Sequence, residues 1–340
     1  MFSPSQQFSR PAYVNCYSVA GLSVWVESDE RWLTDAFDLQ FSGSHLNRVP
    51  QNGEPAATIR VSDLPRPELS DGLENFEVAQ DGRCFTDGAE YHIVYDDSLV
   101  SIYHDAPVRV DVWLGTSAKS GAALARLFFT AVAAATRRCG LYEMHSACVV
   151  EPETDDGVLL VGSSGAGKST LTAQLVTAGW HYLSDDSLLL RAAAQRAEVW
   201  ALRRVFAITD HLIDVGGVRD LEDALRGPMA FDPAKRRLDP FDVLPDRFRA
   251  SSTPAVLLFP VVTDEGSSAA EKLTRVEAMG LLIRMCPWAS YDRLAARGYL
   301  DALARLARNC AAYRVHLGAD LFGDGEQTSR FVKRLLRVRA

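Results

Sequence analysis

Gly162-Ser163-Ser164-Gly165-Ala166-Gly167-Lys168-Ser169 fits the pattern GxxxxGK[ST]. It stands between the apolar run VLLV and a segment with helical spacing, the strand, loop and helix context in which the pattern has a physical meaning. Glycines let the backbone take conformations closed to larger residues, so that successive N–H groups converge on phosphate oxygens at a helix N-terminus. Lys168 adds a mobile positive charge, Ser169 a hydroxyl that can ligate Mg²⁺, and Thr170 continues the helix start. At ordinary glycine usage the four fixed positions would match by chance in a chain this long roughly once in a hundred. A phosphate-binding loop is therefore expected over residues 162–170, against the plainer reading of a glycine-rich turn with no ligand.

The 340 residues carry 36 Lys plus Arg against 44 Asp plus Glu, a net charge of −8, with 47% hydrophobic and 24% charged residues. That balance suits a globular chain and lacks the basic excess expected of a nucleic-acid partner. Cores stop growing near about 250–300 residues, so two domains are expected. Six scattered cysteines without a CxxC pair suggest neither zinc nor a disulfide framework. The start MFSPSQQFSRPA lacks the charged and apolar regions of a secretory signal, which points to a cytoplasmic protein. The most apolar stretch, Ala122 to Ala135, is interrupted by Arg126 and is short of the roughly 20 residues a membrane span needs.

From Tyr13 to about Leu114, short alternating apolar segments are punctuated by Asp71-Gly72, Asp81-Gly82, Asp87-Gly88 and Asp96-Asp97, the grammar of antiparallel hairpins. A helix is expected from Ser117 to Arg138, closed by Cys139-Gly140, joining two units. Beyond it, LYEMHSACVV, VLLVG, a helix from about Lys168 to Ala178 and HYLSDD alternate as in α/β proteins. PAVLLFPVV and AYRVHLG read as buried strands; LDALARLARNC and SRFVKRLLRVR have helical spacing. Gly216 to Arg249 has weak periodicity and is expected to form loops and short helices over the site.

Seventeen residues after Lys168 comes Asp185-Asp186. Neighbours on a strand face opposite ways, so two adjacent carboxylates need a bend to act in one role. One can hold Mg²⁺ and the other can accept the proton of an attacking hydroxyl; the alternative is a solvated acidic turn. His145 is expected in the strand that pairs with the loop strand. By itself it would be a hydrogen-bonded structural residue.

The arrangement MHSACVV followed by VLLVGSSGAGKSTLTAQLVTAGWHYLSDDSLLL resembles the catalytic domain of bacterial HPr kinase/phosphorylase, a P-loop serine kinase family. The match spans about Tyr142 to Leu190. The resemblance implies His145 as the active-site histidine, Lys168 and Ser169 as phosphate and Mg²⁺ residues, and Asp185-Asp186 as the catalytic pair, with Asp185 the base and Asp186 on the Mg²⁺ side. It implies ATP and Mg²⁺ as cofactors and a peptide or small-protein acceptor; no nucleic acid or membrane partner is expected, and a homo-oligomer is compatible with it. Two departures stand out: Leu202 aligns where the family has a metal-side acid, and the hairpin-rich front does not look like the family's N-terminal domain. The β-rich front together with KRRLDPFDVLP is similar to HPr-kinase-like serine kinases associated with lasso peptide precursors.

The resulting expectation is an α/β kinase core with a P-loop over residues 116–340, preceded by a smaller antiparallel β-rich domain over 1–115. Arg204, or the run Lys235 to Arg237, is a candidate phosphate contact because arginine offsets phosphoryl charge; a solvated face is the alternative. A small-molecule kinase and a nucleotide-binding sensor without turnover are the competing functions.

Overall fold

A computed structural model describes residues 11–78, 82–119, 121–215, 219–229 and 234–338. The start of the chain, Asp81 of one expected turn and parts of the Gly216 to Arg249 segment lie outside the described residues. Contacts divide the chain into two units, Met1–Ser42 with Leu46–Leu141 and Asp292–Ala295, and Gly43–His45 with Tyr142–Tyr291 and Ala296–Ala340. The helix Gly121–Arg138, preceded by a short 3₁₀ turn at Thr116–Ala118, clusters with the first unit.

The first unit holds a nine-stranded sheet. Across it run Asn47–Val49, Tyr13–Val19, Leu22–Ser28, Ala57–Ser62, Val108–Trp113, Ser98–Ile102, Tyr91–Tyr95, Gly82–Thr86 and Glu74–Val78. Asp87-Gly88 and Asp96-Asp97 turn hairpins, with Thr86 paired to Tyr91 and Tyr95 to Ser98; Asp71-Gly72 does not, because its flanking strands are not neighbours. The sheet is mixed, not antiparallel as expected. Ala57–Ser62 runs parallel to both Leu22–Ser28 and Val108–Trp113. Between the first of these pairs lies a helix, Arg31–Gln40, the kind of crossover that parallel neighbours require; between the second lie the four strands from Glu74 to Ile102. Leu33, Phe37 and Phe41 repeat every fourth residue and are buried; the Phe37 ring lies 5.3 Å from Tyr17 and 5.2 Å from Phe128.

The second unit is built on a six-stranded sheet in the order His181–Ser184, Ser146–Val150, Gly157–Val161, Pro254–Val262, Ala311–Leu317, Ala269–Lys272. The middle neighbours, Gly157–Val161 with Pro254–Val262 and Pro254–Val262 with Ala311–Leu317, are parallel and the outer pairs antiparallel. Gly157–Val161 is buried at every position, as a strand covered on both faces must be. On one face Val158, Leu160, Val256, Leu258, Val315 and Leu317 alternate along their strands and meet Leu171, Leu175, Val332 and Leu336 of the helices Lys168–Thr177 and Gly325–Arg337. Burying each such side chain stabilises the fold by about 1.5–3 kcal/mol, so the glycine-rich loop is fixed at both ends by core.

One strand expected to run through is broken. LYEMHSACVV separates at His145 into Tyr142–Met144 and Ser146–Val150, which belong to different sheets. His181–Ser184 ends at the Asp pair, as HYLSDD suggests, before Leu188–Ala192, which pairs with Tyr142–Met144 in a four-stranded sheet completed by Ala197–Ala201 and Ser251–Ser252. Cys148 pairs with Ser184 and Met144 with Leu188, so the break and this strand end face each other. The Ser184 hydroxyl accepts the Asp186 and Ser187 N–H groups at 3.3 and 3.0 Å, a side-chain turn that bends the chain at Asp185-Asp186. The segment expected as loops and short helices contains 3₁₀ turns at Arg219–Ala224, Pro240–Asp242 and Pro245–Arg247, and also two strands, Leu225–Pro228 and Arg236–Leu238, which join Phe206–Ile208 in a small sheet. No helix among the described residues is long and apolar enough to cross a membrane.

Candidate functional site

The loop begins where Gly157–Val161 leaves the sheet and ends where Lys168 opens a helix. Gly167 has φ of +96°, and a Cβ there would lie 2.6 Å from Leu317 Cδ1; no other residue suits both the dihedral and the space. Gly162 is confined by Ala166, whose Cβ would be 2.9 Å away. Between them Ser163, Ser164 and Gly165 are exposed and Ala166 half-buried. The first N–H groups of the helix have no intrahelical acceptor, and they face this turn, with Ser169 and Thr170 half-buried behind it.

Lys168 is 5% exposed. Its ammonium donates to the carbonyls of Gly162 and Ser163 at 2.6 and 3.0 Å and lies 3.3 Å from His145 Nε2. Burial lowers its pKa and Lys235 adds to the shift, while Asp186 and Asp185 oppose it. For His145, crowding by its surroundings lowers the pKa first and the Lys168 ammonium second, although solvent still reaches the ring. A neutral ring with its proton on Nδ1 leaves Nε2 free to accept from Lys168. The expected strand position of His145 is corrected to a junction between sheets, which is what lets the ring turn toward the loop.

Asp185 is fully buried. One carboxylate oxygen accepts from the Ser169 hydroxyl and from the Ala207 N–H, both at 3.1 Å; the other is buried without a hydrogen-bond partner. Burial raises its pKa to about 6, Asp186 contributes in the same direction, and Arg203 opposes both. Asp186 is half-buried and forms an ion pair with Arg203. The bend therefore brings both carboxylates to the loop while giving them different surroundings.

Arg204 points elsewhere. Its guanidinium chelates Asp239 at 3.2 and 3.1 Å and lies 4.7 Å from the Phe241 ring centroid. Adjacent residues on extended backbone face opposite ways, so it is Arg203, not selected from the sequence, that meets the aspartates. Of the basic run, Lys235 acts electrostatically on both His145 and Lys168, and Arg237 pairs by backbone with Ala207, whose N–H holds Asp185. Leu202 is buried and its side chain supplies no oxygen.

Among the described residues no cluster of three His, Cys, Asp or Glu side chains could hold a metal by itself. Ser169, Asp185 and Asp186 nonetheless offer hard oxygen donors, and the unpartnered buried oxygen of Asp185 is one a cation would satisfy. That small set fits Mg²⁺, which keeps waters and shares its shell with phosphate oxygens; thiolate-seeking metals do not fit it.

The orphaned carboxylate has a stability consequence. A carboxyl group whose folded pKa is raised from 3.8 to about 6 favours folding fully only below about pH 4, and that contribution is lost as pH rises through about 6. Asp185→Asn should therefore raise the melting temperature of the ligand-free protein near pH 8 by a few degrees and change it little near pH 4, with roughly these sizes expected for a change of about 1 kcal/mol. A melt that falls near pH 8 would show that the ionised group is stabilising.

No protein-family model and no curated protein matches the chain. Among solved structures it has a weak similarity to the Hpr(Ser) kinase/phosphatase from Coxiella burnetii, at 10% sequence identity and a TM-score of 0.30, covering 58% of this chain and 99% of that one.

Proposed function

We propose that this protein is an ATP- and Mg²⁺-dependent kinase that phosphorylates a serine-type hydroxyl on a peptide or small protein, a ribosomally made precursor peptide being the acceptor suggested by the sequence. The observation that carries the reading is Asp185: one oxygen is tied to the hydroxyl of the glycine-rich loop, the other is buried and unpartnered, and Asp186, Arg203 and Lys168 act on it electrostatically. A glycine-rich turn without a ligand would leave that carboxylate unexplained.

In this reading the loop N–H groups and Lys168 hold the nucleotide phosphates, Lys168 exchanging the Gly162 and Ser163 carbonyls for phosphate oxygens. Ser169 and Asp185 would hold Mg²⁺, which when bound would screen phosphate charge. Asp186 is solvent-reachable, and it accepts the acceptor's hydroxyl proton as the new oxygen–phosphorus bond forms and the bond to the departing nucleoside diphosphate breaks. Arg203 and Lys235 offset charge on the transferring group. Arg204, through Asp239, holds the strand Arg236–Leu238 and so positions Lys235. The β-rich first unit serves acceptor recognition, since the candidate catalytic side chains all belong to the second unit.

The test is incubation of the full chain with γ-labelled ATP and Mg²⁺ together with candidate acceptors. Label appearing on a serine of a peptide is the expected result. Label on a metabolite instead would make this a small-molecule kinase, and tight ATP binding with no transfer to any acceptor would make it a sensor.

A further inference from the structure

The helix Arg275–Arg284 carries two apolar stripes where a surface helix ordinarily needs one. Its start is fixed by a capping box in which Thr274 and Glu277 exchange hydrogen bonds. Ala278 and Leu282, one turn apart, are its buried residues. A second stripe, Val276, Met279, Gly280 and Ile283, has the spacing i, i+3, i+4 and i+7 yet faces an open groove; Val276 is 82% exposed. The groove lies against the last turns of the helix Arg293–Asn309, where alanines form its far wall, and its volume is about 480 Å³.

Gly280 is the informative residue. It sits mid-helix, where glycine costs about 1 kcal/mol relative to alanine, and a Cβ there would meet nothing within 4 Å. Packing within the fold does not require it. What its missing side chain does is keep the floor of the groove open. Two guanidiniums, Arg275 and Arg308, line the same groove; both are exposed and neither has an ion-pair partner among the described residues. The groove is thus apolar along its floor and cationic at its rim, and its stripe runs about 10 Å at 1.5 Å per residue.

We infer that this groove docks an acidic amphipathic helix of a partner protein, apolar side chains at i, i+3 or i+4 and i+7 filling the floor and carboxylates meeting Arg275 and Arg308. The charge of the rim selects the acidic face, and the open, helix-length shape suits a helix laid into a groove. The inference does not rest on phosphoryl transfer and stands or falls separately from it.

The experiment uses the full-length protein and fluorescence anisotropy of a labelled model peptide of about four helical turns, leucines at that spacing and glutamates flanking them, beside a twin with lysines in place of the glutamates. Saturable binding of the glutamate peptide is expected, weakened about tenfold in the lysine twin and in Arg275→Glu or Arg308→Glu. Gly280→Leu, which fills the floor, should abolish binding with the circular-dichroism melt unchanged or raised. Gly280→Ala should raise the melting temperature while weakening the peptide, a pairing that no purely structural role for the glycine predicts. No saturable binding, equal binding of the lysine twin, or indifference to Gly280→Leu would overturn the proposal. Displacement of the peptide by decanoate at comparable concentration would reassign the groove to small apolar acids and overturn it as well.

Discussion

Lys168→Ala is expected to lower phosphoryl transfer by at least about a hundred- to a thousandfold, the usual cost of deleting a preorganised charge that meets the transition state. The folded protein should survive. Lys168 Nζ donates to the Gly162 and Ser163 carbonyls, but Ser163 is exposed and Gly162 half-buried, so water can take over both acceptors and the desolvation penalty of an orphaned group does not arise. The His145 ring then loses the ammonium that helps hold its pKa down, so an NMR titration of His145 should move upward in the variant. That second readout reports the lysine's position even before an acceptor is identified. A folded Lys168→Ala protein that transfers phosphate at the wild-type rate would remove the glycine-rich loop from the mechanism.

The loop was legible because everything it needs is local: VLLV, the glycines and the helix start lie within one short window of sequence. The strand end at Asp185-Asp186 was legible too, but the break at His145 was not, because a strand's change of sheet depends on its neighbours. Tyr142–Met144 finds Leu188–Ala192 and Ser146–Val150 finds Gly157–Val161, pairings that no periodicity in MHSACVV announces. The strands Leu225–Pro228 and Arg236–Leu238 are short and mostly exposed; they pair with each other, and Arg236–Leu238 is joined to the rest by Phe206–Ile208, far back in the chain. Arg31–Gln40 is a different case. Leu33, Phe37 and Phe41 carry a four-residue repeat in the sequence, and the helix it marks lies between the parallel strands Leu22–Ser28 and Ala57–Ser62. Arg204 was a candidate on charge alone, which Arg203 shares; alternation along extended backbone lets only one of the two neighbours face the aspartates, and the chelation of Arg204 by Asp239 decides which.

The division of labour between the two aspartates gives the sharpest test of the chemistry. Sequence resemblance assigned Asp185 as base and Asp186 to the metal; the surroundings of each argue for the reverse. A base must reach the acceptor hydroxyl, and Asp185 is 0% exposed with one oxygen already held by Ser169 and Ala207. Asp186 keeps 24% of its side chain exposed beside Arg203, and a phosphoryl group arriving there can draw the guanidinium away and free the carboxylate. Asp186→Asn is therefore expected to slow single-turnover transfer by about 10²-fold, the low end for general-base assistance, because a loose transition state asks little of the nucleophile. ATP affinity measured by calorimetry with Mg²⁺ should hardly change. Asp185→Asn should instead erase most of the difference between ATP titrations with and without Mg²⁺. In the wild-type protein that Mg²⁺-dependent difference should shrink as pH falls below about 6, since a proton on Asp185 competes with the cation for the same oxygens. Loss of the Mg²⁺ dependence in Asp186→Asn, with Asp185→Asn impaired only in turnover, would restore the assignment drawn from resemblance; normal transfer by both variants would exclude the paired carboxylates from the reaction.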